Sequence, residues 1–306
     1  MNPVSSRSGH AGAVQRLVRL GSEISETQAQ ISLAKRVVTP DDDPVAFVRA
    51  ATLRRADLAS TATGRAIDSA DRRLSATDTA LDSITSIVQR LRELALQGAN
   101  GTLNAGDRLL ISEEVGELAE AFSGLAEARG ADGEPLFGGA AHGGPAYAPD
   151  AAGVLQWQGY GQAPMVAAGG GLIAGGIEGP QAFGSSDAVT GRESIFDTFA
   201  NLGKALVEPN PIVRAAAMDG AIGQIDGHVT RLADARAIVG ARQSRLGTEG
   251  ERITREKLTT AVDLSRLEDL DMSEAIARMQ RLLTILEAAQ ASFARTASLS
   301  LWDKLG

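Results

Sequence analysis

Two stretches at opposite ends of this chain repeat apolar residues at a mean spacing of 3.5, and neither can fold alone. Near the start, Leu17, Ile24, Ile31 and Val38 recur every seven residues, with Ala13, Leu20 and Ala34 at most of the three-residue offsets. Near the finish, Met272, Ile276, Met279, Leu283, Leu286, Phe293 and Ala297 step by four and three, with Gln290 as the polar interruption. Such spacing keeps one stripe facing a partner helix in a left-handed supercoil. Ordering a residue costs roughly 1–2 kcal/mol of backbone entropy, and burying a large aliphatic side chain returns about 1.5–3 kcal/mol. A single helix has nothing to bury its stripe against. The two ends are expected to pair with each other or with neighbouring molecules, as in an assembly subunit.

The pattern continues between them. One helix is expected over 13–38, stopping at Thr39-Pro40. In Asp41-Asp42-Asp43-Pro44 the spacing lacks the alternating ligands of a calcium loop, so these residues read as a turn. Asp43 is placed as N-cap and Pro44 at the first helical position. A helix follows through Phe47, Val48, Ala51 and Leu58, with a weak point at Gly64. The alternation is clear again at Ile67, Ala70, Leu74, Thr77, Leu81, Ile84, Val88, Leu91 and Ala95. After the Asn100-Gly101 turn, a helix over 106–128 is expected to bury Leu109, Leu110, Val115, Leu118, Phe122 and Leu125. Helical patterning resumes at Ser194 and stops at Pro209-Asn210-Pro211. A long helix then carries Ile222, Ile225, Val229, Leu232 and Val239, broken once at Arg236.

About half of the 34 glycines fall between Gly130 and Gly191. There 154–158 and 164–167 read as short strands of a small β-rich insertion. The expected fold class is mainly α: an elongated helical bundle or coiled-coil rod built from both chain ends, with a small glycine-rich β insertion at its tip. Its parts would be a terminal coiled-coil arm (1–40 with 270–306), a helical rod domain (41–130 with 192–269) and the outer insertion (131–191).

With 2 Trp, 2 Tyr and 7 Phe in 306 residues, the interior is expected to be Leu, Ile, Val and Ala. A net charge of −8 without a dense Lys/Arg cluster argues against nucleic-acid binding. The absence of cysteine removes disulfide and thiolate chemistry. No apolar run approaches the ~20 residues of a membrane span, and Met1 to His10 has no Sec-type apolar region. The clusters Gly169-Gly170-Gly171 and Gly175-Gly176 lack the Gly-Lys-Ser/Thr of a phosphate loop. His10, His142 and His228 have no histidine at helical spacing and read as surface or incidental. No catalytic, cofactor or metal site is expected, and the chain reads as a non-enzyme.

The stretch from Gln28 through Ala34-Lys35-Arg36-Val37-Val38-Thr39-Pro40-Asp41-Asp42-Asp43-Pro44 resembles the N-terminal signature of the flagellin superfamily. Asn100-Gly101-Thr102-Leu103, Ala235 to Arg242, and Leu267 to Ile276 are similar to the same superfamily. Leu136-Phe137-Gly138-Gly139 and the tail Ala289 to Leu305 look more like its hook–filament junction subunits than like filament flagellin, which is the alternative. Glu127-Ala128-Arg129 departs from the family's Asn-containing turn.

The resemblance implies a structural subunit of the bacterial flagellum, exported through the flagellar type III apparatus with a chaperone. It implies a homo-oligomeric ring between hook-associated and flagellin subunits, with terminal helices that order on assembly. The residues expected to carry assembly are Leu17, Leu20, Ile24, Ile31, Val38, Ile276, Met279, Leu283, Leu286, Phe293, Leu299, Leu301, Trp302 and Leu305.

Overall fold

The computed structural model describes residues 3–140, 143–149, 155–185 and 193–305, and for 3–10 and 296–305 the backbone alone. His142 and Val154 therefore lie outside the described residues, as does the side chain of His10. The fold is mainly α. Seven helices and four short strands occur among the described residues: α1 (Pro3–Leu33), α2 (Pro44–Gly98), α3 (Ala105–Ala126), β1 (Tyr147–Pro149), β2 (Leu155–Trp157), β3 (Met165–Ala168), β4 (Gly171–Ala174), α4 (Gly179–Phe183), α5 (Ile195–Val207), α6 (Pro211–Glu268) and α7 (Met272–Leu305). The chain forms two compact units, Met1–Ser60 with Arg255–Gly306, and Thr61–Thr254.

In the unit Thr61–Thr254, α2 and α6 run antiparallel, linked by Arg92–Asp226, Arg236–Asp82 and Gln243–Ser75 contacts. Every expected α2 seam position from Ile67 to Ala95 is buried. Gly64 does not interrupt the helix. On α6 within this unit the buried positions are Met218, Ala221, Ile225, His228, Leu232, Ala235, Val239, Leu246 and Ile253. At each three-residue offset the seam runs one residue before the expected Ile222, Val229 and Arg236. Small Ala221 and Ala235 turn inward, and the bulkier Ile222 and Val229 cover the flank. Arg236 is thus no break in the stripe: it stands beside it and pairs with Asp78 and Asp82 at 3.1 and 2.7 Å.

His228 is a seam residue, which corrects its reading as a surface or incidental histidine. Arg231 donates to its Nδ1 at 3.3 Å, since a guanidinium can only donate. That assigns the proton to Nε2, which meets Thr198 Oγ1 at 2.9 Å, and Thr198 in turn donates to Ser194 O. Burial and the adjacent Arg231 charge hold the imidazole neutral, with its pKa lowered to about 4.

Helix α3 opens with a capping box between Asn104 and Asp107. It buries Ile111, Val115, Phe122 and Ala126, and half-buries Leu118 and Leu125. Leu109 and Leu110, expected on that face, are exposed. One turn before Ile111 the inward position belongs to Arg108, whose guanidinium donates to Leu206 O and Leu103 O. Ser194 and Asp197 form a second capping box, at the start of α5.

The insertion packs on these helices through an aromatic cluster. Phe122 lies 5.3 Å from Phe183 and 4.9 Å from Phe196, and Phe137 lies 4.8 Å from Phe183. So the interior is aliphatic along the helices and aromatic here, where separate elements meet. Arg73 of α2 donates to Pro135 O at 2.5 Å and Arg242 of α6 donates to Gly176 O, fastening the insertion by its backbone. Strands β1–β2 and β3–β4 form two antiparallel pairs. Gly169 and Gly170, at φ 57° and 80°, make the two-residue turn between β3 and β4. Leu136-Phe137-Gly138-Gly139 is buried throughout. A Cβ on Gly139 would strike the Gly161 carbonyl at 2.7 Å.

Candidate assembly interface

Helix α1 stops at Leu33, five residues before the expected end. Ala34 adopts φ 52°, its N–H bonds Ile31 O at 3.2 Å, and Lys35 N–H bonds Gln30 O at 3.1 Å. This is a Schellman termination with alanine where glycine is favoured. Ala34 is therefore not a seam residue, and Val38 lies beyond the helix. The chain then docks on the end of α6: Arg36 N donates to Glu268 O at 2.6 Å, and Leu270 N donates to Ala34 O at 3.2 Å. Buried Gln30 ties the turn down by donating to Arg36 O.

The Glu268 carboxylate receives Lys35 at 2.8 Å and Arg54 at 2.5 Å. Burial opposes its charge, but these two donors outweigh burial and hold its pKa below the usual range. The aspartate turn completes the junction. Asp42 Oδ2 accepts from Val38 N and Thr39 N at 2.8 and 2.7 Å, while Asp43 Oδ1 caps α2 through Ala46 N at 2.9 Å. Both carboxylates are used as backbone acceptors, in keeping with a structural turn.

These links bring the C-terminal end of α1 beside the start of α7, and the two helices pack antiparallel. The inward side of α1 carries Ala13, Leu17, Leu20, Ile24, Thr27 and Ile31, spaced by four and three. Opposite, α7 turns Ala275, Met279, Leu282, Leu286, Ala289 and Phe293 inward. Apart from Thr27 and Ala275, which are buried, all of these are only half-buried.

Of the expected interface residues, Leu17, Leu20, Ile24, Ile31, Met279, Leu286 and Phe293 thus lie on the inner faces of the pair. Ile276 and Leu283 do not: they are 45% and 41% exposed. Ala275, Leu282 and Ala289 take the inner positions in their place. Val38 is half-buried in the connecting segment. The side chains of Ala297, Leu299, Leu301, Trp302 and Leu305 lie outside the described residues.

What this unit lacks, among its described residues, is a core. Its buried hydrophobic residues, among those described, are Val37, Ala46, Ala50 and Ala275, whereas the contiguous hydrophobic core falls within Thr61–Thr254. Its surface is rich in large apolar side chains. Val14 and Val18 stand out from α1, Met272, Ile276 and Leu283 from α7, Val45, Val48 and Leu58 from α2, and Leu258 and Val262 from α6. Val48 and Leu58 were expected in the α2 pattern and are exposed instead, while Val45, Leu258 and Val262 were not singled out from sequence. Apolar surface on this scale marks a contact surface.

Two models of one family match the chain: the bacterial flagellin N-terminal helical region over residues 6–142 and the C-terminal helical region over 222–302. Flagellar hook-associated protein 3 of Salmonella typhimurium is 25% identical over 304 residues, 90% of each chain. Flagellin of Listeria monocytogenes is 25% identical over 279 residues, covering 87% of this chain and 86% of its own. A solved structure of a flagellar hook-associated protein from Vibrio parahaemolyticus shares the fold, with a TM-score of 0.66 at 21% identity over 74% of this chain and 100% of the other.

Proposed function

This chain belongs to the bacterial flagellin family, and on that footing we propose that it is a non-enzymatic structural subunit joining the flagellar hook to the filament. The observation that carries the reading is the uneven distribution of apolar side chains. Among its described residues, the unit built from the chain ends has almost no buried core and many exposed aliphatics, as a subunit completed by its neighbours requires. The relative of Salmonella typhimurium matched over 90% of its length is a hook-associated protein. Together with the resemblance of Leu136-Phe137-Gly138-Gly139 and the tail to junction subunits, this supports a junction role.

In this reading residues 1–40 and 270–306 form the inner layer, 41–130 and 192–269 the next, and 131–191 faces outward. Partners are further copies of the chain in a ring, hook-associated and flagellin subunits on either side, and an export chaperone with the type III apparatus beforehand. The inner-face residues Leu17, Leu20, Ile24, Ile31, Met279, Leu286 and Phe293 hold the helix pair together. Ile276 and Leu283 reach neighbouring subunits. Labelling the protein on isolated flagella tests the assignment. A narrow band at the hook end is expected. Staining along the filament, with sustained elongation of filament seeds by the purified protein, would instead make it a filament flagellin.

A further inference from the structure

The turn between α2 and α3 holds a reactive pair. Asn100 and Gly101 are exposed, and a Cβ on Gly101 would meet nothing within 4 Å. Leu103 N closes the turn on Asn100 O at 3.3 Å, and Asn100 N is bound to Gln97 O at 3.0 Å. Among the described residues, the Gly101 N–H has no acceptor in hydrogen-bond range. The Asn100 side chain reaches forward along the chain to Thr102. Its Oδ1 accepts from Thr102 N at 3.2 Å and from Thr102 Oγ1 at 2.9 Å.

We propose that Asn100 is a site of self-catalysed deamidation, in which the Gly101 nitrogen is the nucleophile and Thr102 the positioning residue. The Gly101 nitrogen loses its proton to solvent base and its lone pair attacks Asn100 Cγ. The C=O π electrons move onto Oδ1, where the two Thr102 donors already point, as oxyanion donors do. The electron pair on Oδ1 re-forms the carbonyl as the Cγ–Nδ2 bond breaks. Nδ2 takes a proton back from solvent and leaves as ammonia, and a five-membered succinimide remains. Water then adds to either of its carbonyls and opens the ring to aspartate or isoaspartate. The net change is one water taken up and one ammonia released. The product puts a carboxylate just after the C-terminal end of α2, where the helix dipole disfavours negative charge.

The other asparagines with described side chains are internal controls. Asn104 is the N-cap of α3 and is followed by Ala105, and Asn201 lies within α5, so each is followed by a non-glycine residue whose backbone is fixed in a helix. Asn210 precedes Pro211, which has no N–H to lose.

The test is peptide mapping by mass spectrometry of the full chain held at mildly alkaline pH. Asn100 should convert before Asn104, Asn201 and Asn210, through a peptide that has lost ammonia. Thr102→Val should slow conversion about two- to ten-fold, the worth of one hydrogen bond, and Thr102→Ser should restore it. Adding denaturant, which dissolves the turn, should slow Asn100 as well. Conversion at Asn100 no faster than at Asn201, or an equal or faster rate in Thr102→Val or in denaturant, would overturn the proposal.

Discussion

Single residues set both the shape and the pH response of the helix ends. At Ala34 a Cβ sits in the left-handed region, which costs roughly 1–2 kcal/mol relative to the right-handed one. Glycine removes that strain but loosens the unfolded chain by about 0.4–1 kcal/mol. Ala34→Gly should therefore raise stability by up to about 1.6 kcal/mol, read by urea denaturation. A loss of stability would mean that the turn is not held as described. His228 acts with the opposite sign in acid. Its folded pKa of about 4 lies below the usual value of 6.5, so the unfolded chain binds a proton that the native one refuses. Its stabilising effect is full above pH 6.5 and falls by at most about 1.4 kcal/mol per pH unit down to about pH 4. Urea midpoints measured between pH 7.5 and 4.5 should show that slope, and His228→Gln should flatten it. Neither Ala34 nor His228 could be read from sequence in these roles. Alanine is an unusual C′ residue, and a lone histidine at a seam position carries no signal until its partners Thr198 and Arg231 arrive from the fold.

At the scale of the element, the α2 stripe was legible position by position from Ile67 to Ala95, because nearly all its inward residues there are aliphatic or alanine. Before it, Val48 and Leu58 were read from the pattern but are exposed. On α6 and α7 the same alternation was read one residue late at each three-residue offset. Ile222, Val229 and Arg236 stood in for Ala221, His228 and Ala235. Ile276, Leu283 and Gln290 stood in for Ala275, Leu282 and Ala289. At Ala221 and Ala275 the smaller side chain goes inward, and a search for bulky apolar residues selects Ile222 and Ile276. His228 is passed over as polar, and Leu282 and Leu283, being the same residue type, are not told apart by composition. The insertion was legible as strands and turns but its aromatic anchor was not, because Phe122, Phe137, Phe183 and Phe196 are far apart in sequence. The misreading on α7 separates two faces with different consequences. Replacing exposed Ile276 and Leu283 together by serine should change monomer stability by no more than about 0.5 kcal/mol each. Circular dichroism should show an unchanged helix content, while incorporation at the hook end is lost. Normal incorporation of this double variant would remove Ile276 and Leu283 from the interface.

For the whole molecule, the contrast between the two units is the feature on which the functional reading depends. One has a continuous core of Leu, Ile, Val and Phe; the other has helices packed on one another with much of their apolar surface uncovered. Under the proposed assembly role, such a unit would open with little cost until neighbours cover it, and its folding would be coupled to assembly. Hydrogen exchange on a verified monomer, compared with the assembled protein, tests this directly. Amides over 11–33 and 275–295 should exchange fast in the monomer and become protected on assembly, while those of 67–95 and 218–246 stay protected in both. Strong, uniform protection of both terminal helices in the monomer would contradict the account.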